Sequence, residues 1–168
     1  GSATSNPATV VVREPPTITS DPTNQSICLG ETATFSVTAT GTPPLEYQWR
    51  KNSVELPGET ASTIVITSVA VSDGGVYDCV VTNMCGTETS RGASLNVLLP
   101  PTITAQPQGA DLCLGDDYTL AVTATGTEPL SYQWRKNGAD IPGATGSQLV
   151  LLDVDTTDSG SYTVLVSN

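Results

Sequence analysis

The chain has 168 residues, enough for one or two domains, and carries six Lys and Arg against seventeen Asp and Glu. This acidic balance argues against binding to nucleic acid, whose phosphates need a cationic surface, and equally against an anionic membrane surface. Thr, Val, Ser, Gly and Pro dominate the local sequence, which favours short strands joined by turns.

The chain repeats itself at a shift of 85 residues. About half of the aligned positions are identical and no gap is needed, so we interpret the repeat as two copies of a whole domain. Each copy opens on a Pro-Pro pair, which is stiff and lacks amide donors and therefore suits a short linker. The clearest repeated segments are Pro15–Thr19 with Pro100–Thr104, Cys28–Gly30 with Cys113–Gly115, and Tyr47–Asn52 with Tyr132–Asn137.

Alternating side chains predict the strands of the first repeat. Strands of this kind have period 2, so Tyr47 and Trp49 share one face of theirs. We count about seven short strands separated by turns at regular spacing, which predicts an antiparallel β-sandwich with negligible helix. The segments with the clearest alternation or turn residues are Ala33–Ala39, Tyr47–Asn52, Thr63–Val69, Val76–Thr82 and Thr87–Val97.

A strand after Gly-Glu, a tryptophan in mid-domain and the segment Asp73-Gly74-Gly75-Val76-Tyr77-Asp78-Cys79 together resemble the immunoglobulin superfamily. The amino-acid sequence of the whole repeat is most similar to that of immunoglobulin-like domains arrayed in large bacterial surface and secreted proteins. The resemblance implies all-β, tandem immunoglobulin-like sandwiches. It also implies that each core contains a tryptophan and a tyrosine that closes a corner, namely Trp49 with Tyr77 and Trp134 with Tyr162.

The cysteines depart from that family pattern. The strand that would hold the first core cysteine has Val37 in one repeat and Val122 in the other, so the usual disulfide between the sheets is absent. Four cysteines in an acidic β-protein still suggest an oxidising, extracellular setting. A pair within one domain and a bridge from Cys28 to the following domain are the alternatives. The disulfide candidates are Cys28, Cys79, Cys85 and Cys113.

The two ends of the chain complement each other. At the same shift, Ala3–Val12 overlays Glu88–Val97, the last strand of the first repeat, whereas Asn168 overlays Asn83. We therefore expect an orphan last strand plus linker at 1–14, one domain at 15–99, and a second domain at 100–168 that lacks its own last strand. The orphan strand is expected to pair with a domain outside these two repeats, either a preceding domain of an array or another copy of the chain.

No residue pattern predicts catalysis. Histidine is absent, which removes the usual general base and the commonest zinc ligand, and no serine has a base near it in the sequence. The acidic run Asp153–Asp158 is the best calcium candidate, but it fails the EF-hand pattern and is read as a solvated loop. The repeated Arg-Lys pairs could face an acidic glycan, but pairing with neighbouring carboxylates is favoured. We expect no enzyme activity, cofactor or metal.

The sequence thus predicts a structural repeat unit of an extracellular bacterial filament, stalk or surface adhesin, located at the bacterial cell surface. Its expected partners are neighbouring immunoglobulin-like repeats or further copies of itself, joined head to tail in a linear array, with strand donation as one way to complete each joint. No nucleic acid is expected to bind, and no apolar run approaches the ~20 residues needed for membrane insertion. The alternative is a binding module for a glycan or protein that the sequence does not name.

Overall fold

The computed structural model describes residues 1–168 without a gap. The chain divides into two compact units, Gly1–Val97 and Leu98–Asn168. The sequence placed this division two residues later, between Leu99 and Pro100. The earlier division is consistent with hydrogen bonds that join Leu99 to Thr127 in the second unit.

The first unit is built of ten short strands, and its helical content is a single 3₁₀ turn at Val71–Asp73. Alternating apolar residues place every second side chain of several of these strands inside the unit. The strands are β1 (Thr17–Ser20), β2 (Gln25–Cys28), β3 (Ala33–Ser36), β4 (Thr38–Thr40), β5 (Glu46–Lys51), β6 (Val54–Glu55), β7 (Thr63–Ile66), β8 (Gly75–Asn83), β9 (Gly86–Thr89) and β10 (Ala93–Leu98).

These strands form two facing layers. In one layer β1 pairs with β4 and β3 pairs with β7. The other layer has the order β2-β10-β8-β5-β6, with β9 also paired to β8. The single last strand predicted at Thr87–Val97 is therefore two strands, because Ser90 interrupts it. The Cys79 amide donates to Ser90 Oγ at 2.9 Å, and the Ser90 amide donates to the Cys79 carbonyl at 2.9 Å.

The core of the first unit lies between the layers, around the indole of Trp49. This side chain is 0% exposed, and its Nε1 donates to the Ala61 carbonyl at 2.9 Å, so the buried donor is satisfied. Phe35 stacks on Tyr77 with ring centroids 5.0 Å apart and also touches the indole. A large aromatic cluster is thus shared by β3, β5 and β8.

The second unit repeats this plan with seven strands and a 3₁₀ turn at Thr156–Asp158. Its strands pair as β11–β13, β12–β16 and β15-β14-β17. Residues 110–113, which correspond to β2, form no strand. The strands are β11 (Thr102–Ala105), β12 (Tyr118–Ala121), β13 (Thr123–Thr125), β14 (Ser131–Lys136), β15 (Ala139–Asp140), β16 (Gln148–Leu151) and β17 (Tyr162–Ser167).

The amino-terminal segment, residues 1–16, has no regular secondary structure. Residues 1–15 are exposed, with Val10 and Val12 each 86% exposed. The partner that the sequence predicted for Ala3–Val12 is a domain outside these two units, and the segment makes no strand pairing within the chain. The predicted all-β architecture of two tandem sandwiches is confirmed.

Replacing Trp49 by Ala should destabilise the first unit by roughly 3–5 kcal/mol, because it removes a fully buried indole and leaves a cavity. Calorimetric unfolding would show the loss as a lower midpoint for the first unit, while the fluorescence of Trp134 reports on the second. Val65→Ala, at a half-exposed position on β7, is the matched control and should shift the midpoint little. Equal shifts for the two variants would contradict the central role of the indole.

Candidate functional site

Both units fasten the chain segment that enters them with the same set of hydrogen bonds, which we call the clasp. In the first unit, the Glu14 amide donates to Thr42 Oγ1 at 2.8 Å, and the Thr42 amide donates to the Glu14 carbonyl at 3.1 Å. Asn83 Nδ2 donates to the carbonyls of Glu14 (2.8 Å) and Thr42 (2.9 Å). One asparagine therefore ties the end of β8 to both the entering segment and the turn before β5.

The clasp of the second unit has the same geometry. The Leu99 amide donates to Thr127 Oγ1 at 2.7 Å, and the Thr127 amide donates to the Leu99 carbonyl at 3.0 Å. Asn168 Nδ2 donates to the carbonyls of Leu99 (2.8 Å) and Thr127 (2.9 Å). Glu14 and Leu99 contribute through their backbones alone, so their different side chains do not affect the clasp.

A glycine beside each clasp lets the entering segment pass close to the turn. At Gly41 a Cβ atom would lie 2.8 Å from the Pro15 carbonyl oxygen, and its φ of +143° is one that other residues rarely adopt. Gly126 is placed in the same way against Pro100 and Pro101. The clasp was not predicted, although the sequence carries a signal for it, since Gly41-Thr42 recurs as Gly126-Thr127 and Asn83 recurs as Asn168.

The two corner tyrosines occupy equivalent places. Tyr77 Oη donates to the Asp73 carbonyl at 2.7 Å, and Tyr162 Oη donates to the Asp158 carbonyl at 2.8 Å. Burial, with a contribution from the charge of Asp73, raises the pKa of Tyr77 to about 12. The Tyr77 hydroxyl is therefore a neutral donor at physiological pH. Each of the two hydroxyls holds the loop ahead of β8 or β17.

The repeated cations serve strand pairing. Arg50 on β5 forms two hydrogen bonds to the Asp78 carboxylate of the adjacent β8, at 2.6 and 3.0 Å. That hydrogen bonding raises the pKa of Arg50. In the second unit Thr163 stands in place of Asp78, and Arg135 pairs instead with Asp140 of β15 at 2.6 Å. The pairing that the sequence favoured is therefore present, and it occupies both guanidinium groups.

The acidic loop of the second unit is held by its own backbone. Asp155 Oδ1 accepts from the Thr157 amide at 2.6 Å and from Thr157 Oγ1 at 2.5 Å, and these hydrogen bonds lower the pKa of Asp155. Asp117 Oδ1 accepts from the Asp153 amide at 2.9 Å. Carboxylates used in this way order a turn, and no group of three or more of the usual metal-ligating side chains converges there.

All four predicted disulfide candidates are free thiols in the structure. The turn after Cys28 is anchored to Val69, whose segment leads into the start of β8, whereas Cys85 follows the end of β8. The nine residues of β8 separate these positions by about 25 Å, far beyond the ~7 Å between Cα atoms that a disulfide allows. A Cys28–Cys85 pair within one unit is therefore excluded. Cys79 is buried beside Trp49 in the core.

The second unit carries a groove beside its 3₁₀ turn and the start of β17, where Tyr162 lines it. The strand β17 pairs with β14. The groove has a volume of about 500 Å³. Its apolar wall includes Leu112, Leu114, Tyr118, Leu120, Leu151 and Tyr162.

These features define a tandem of two immunoglobulin domains. A family model described as Immunoglobulin domain matches residues 15–83 and 100–168. The chain belongs to the immunoglobulin domain family.

The curated relatives are animal proteins. The mouse (Mus musculus) basement membrane-specific heparan sulfate proteoglycan core protein is 37% identical over 145 residues, which are 83% of this chain and 4% of that protein. Roundabout homolog 1 of Rattus norvegicus is 32% identical over 83% of this chain and 9% of its own length. The mouse Peroxidasin homolog is 30% identical over 92% of this chain and 12% of its own length. The chain thus spans a small part of each relative.

Solved structures show the same tandem fold. An I-band fragment from titin superposes with a TM-score of 0.81 at 25% identity, over 92% of this chain and 61% of the fragment. The immunoglobulin domains 1–4 of Sidekick-1 superpose with a TM-score of 0.73 at 23% identity, over 96% of this chain and 47% of theirs. No helix of the structure has the length and apolar character that crossing a membrane requires.

The four thiols should differ sharply in reactivity. Cys28, Cys85 and Cys113 are exposed, whereas burial raises the pKa of the Cys79 thiol to about 11 and so suppresses the reactive thiolate. A thiol-reactive disulfide reagent at pH 8 should modify the three exposed cysteines quickly and Cys79 only on unfolding.

Cys79→Val is the matched variant for this experiment, since the second unit has Val164 at that position. It should remove the slow thiol without changing the fast ones. Rapid modification of Cys79 in the folded chain would contradict the buried placement.

Proposed function

We propose that this chain is a structural unit of an extracellular array of immunoglobulin domains, such as a filament, stalk or surface adhesin. Its partners in that role are neighbouring immunoglobulin-like repeats or further copies of itself, joined head to tail. The observation that carries the proposal is the clasp, which recurs with matching atoms in both units.

The clasp supports an array because it acts on the segment that enters each unit. The same Thr and Asn side chains fix Glu14 before the first unit and Leu99 before the second. A repeated device that orders an entering segment defines where each domain begins along the chain, whatever the side chains of that segment are. This is the feature expected of domains that are strung in series.

Comparison with relatives supports an extracellular location. The printed name of one relative places it in the basement membrane, and one solved structure of the same fold is described as extracellular domains of Drosophila OTK. Several similar solved structures contain four or more immunoglobulin domains in tandem. The animal relatives do not support the bacterial source that the sequence resemblance predicted, so we propose the array without it.

We propose no catalytic step for this chain. Immunoglobulin domains are generally non-catalytic, and the match to the Peroxidasin homolog covers 12% of that protein. The carboxylates of Asp78 and Asp155 are committed to an ion pair and to a turn.

The alternative is a module that binds a glycan or protein through the loops at one pole. The specific observation in its favour is that the Arg135 side chain is 39% exposed, although it is paired with Asp140. The turns that a binding module would be expected to vary are instead nearly the same in the two repeats. They also carry the clasp threonines Thr42 and Thr127.

Antibodies against the chain would test the proposal in its source organism. An array unit predicts labelling of the extracellular fraction and an intact natural protein that contains further immunoglobulin repeats. A glycan array probed with this chain tests the alternative at the same time. Saturable binding of an acidic glycan that Arg135→Gln abolishes, with labelling confined to the inside of the cell, would contradict the structural role.

A further inference from the structure

A short segment at the start of β2 carries a pattern that the proposed function does not use. The residues Asn24-Gln25-Ser26 match Asn-x-Ser/Thr with a residue other than proline in the middle, which is the acceptor pattern for asparagine-linked glycans. The pattern occurs once in the sequence. Three residues match such a pattern easily by chance, so the surroundings of Asn24 decide whether the acceptor is usable.

We propose that Asn24 is a glycosylation site, at which an oligosaccharide is attached to the side-chain Nδ2. This inference rests on the extracellular location in the proposed function, because the acceptor pattern is used in secreted proteins. The donor is an oligosaccharide linked to a lipid diphosphate. Nδ2 forms a bond to the first sugar carbon and releases one proton, while the bond from that carbon to the diphosphate breaks and its electron pair leaves with the diphosphate.

The acceptor amide and the hydroxyl lie on the same face of the chain. Residues two apart in an extended segment point the same way. Asn24 and Ser26 are both exposed, whereas the intervening Gln25 is partly buried. Gln25 Oε1 accepts a hydrogen bond from the Thr34 amide of β3 at 3.3 Å, so this side chain is directed toward the neighbouring strand. Both groups that the pattern requires are therefore accessible from solvent.

The two polar atoms of the Asn24 side chain have separate roles. Oδ1 accepts a hydrogen bond from the Ser94 amide of β10 at 2.8 Å, which fixes the side chain beside the sheet. Nδ2, the atom that would be modified, donates no hydrogen bond within the chain. A glycosylated asparagine keeps its carbonyl oxygen, so attachment at Nδ2 leaves the bond to Ser94 in place.

The position of Asn24 in the fold leaves room for a bulky group. Asn24 directly precedes β2, which is the outermost strand in the order β2-β10-β8-β5-β6. No further strand of that layer lies beyond β2. A large polar group at such an edge also hinders pairing with strands of other chains, so a glycan there is compatible with the fold and protects it.

A second asparagine shows the opposite arrangement. Asn83-Met84-Cys85 has cysteine in place of the hydroxyl residue, which is a weaker form of the same pattern. Both protons of Asn83 Nδ2 are used in the clasp, at 2.8 Å to the Glu14 carbonyl and 2.9 Å to the Thr42 carbonyl. A glycan would leave Nδ2 with one proton and so remove one of these bonds. Asn83 is therefore expected to stay unmodified.

The second unit offers an internal comparison. At the shift of 85 residues, Asn24 becomes Gly109 and Ser26 becomes Asp111, so neither the acceptor amide nor the hydroxyl is present. The glycan is thus expected in the first unit and not at the equivalent place in the second.

Peptide mapping of the chain secreted from cultured animal cells tests the proposal. An amidase that removes asparagine-linked glycans converts the modified asparagine into aspartate, so the modified peptide is identified by its mass. We expect a glycan on the peptide that contains Asn24, and none on the peptides that contain Asn83 or Gly109. Mapping of the natural protein, captured with antibodies against the chain, should show the same site.

Two variants of Ser26 form a matched pair. Ser26→Ala removes the hydroxyl of the pattern and should abolish the glycan completely, while Asn24 and its bond to the Ser94 amide remain. Ser26→Thr keeps the hydroxyl and should keep the glycan. Ser26 is exposed, so circular dichroism should show the wild-type fold for both variants.

An unmodified Asn24 in either preparation would overturn the proposal, and so would a glycan that Ser26→Ala retains. Modification of Asn83 in the folded chain would contradict the assignment of the site from a free Nδ2. A chain that lacks the glycan but is labelled in the extracellular fraction would overturn this inference alone. Failure of the proposed function would appear instead as labelling confined to the inside of the cell.

Discussion

The pairing of both edges of the central strand is the constraint on which the rest of this structure depends. In the first unit β8 is covered on one side by β5 and on the other by β9 and β10. Backbone amides and carbonyls need partners, and apolar side chains need cover, so one added strand meets both needs. In the second unit β17 pairs with β14, residues 110–113 form no strand, and the corner tyrosine is half-buried.

The same constraint separates the local features of the fold from the long-range ones. The clasp, the corner tyrosine and the indole bond form in both units, because each joins residues that lie within the shared part of the repeat. The strand β2 forms only where β10 lies beside it. A short edge segment has too little intrinsic preference for the β conformation to form a strand without another strand beside it.

Much of the fold could be predicted from the sequence. Alternation and the 85-residue shift were sufficient for the sandwich and for the buried positions of Trp49 and Trp134, because these depend on patterns within one repeat. The break at Ser90 could not be predicted, since it depends on a side chain that bonds a distant backbone group. The clasp at Asn83 depends on such a contact too, and only the repetition of its residues in both units indicated it. The disulfides were expected from compartment and composition, whereas the topology keeps Cys28 and Cys85 at opposite ends of β8.

Hydrogen exchange of two equivalent amides tests the central claim most directly. The Cys79 amide is bonded to Ser90 Oγ, and the equivalent Val164 amide belongs to β17, which pairs with β14 alone in this chain. In a dilute solution of the chain, magnetic resonance should show slow exchange at Cys79 and much faster exchange at Val164. Equal and strong protection of both amides in the monomer would contradict the account, because the edge of β17 would then already be paired.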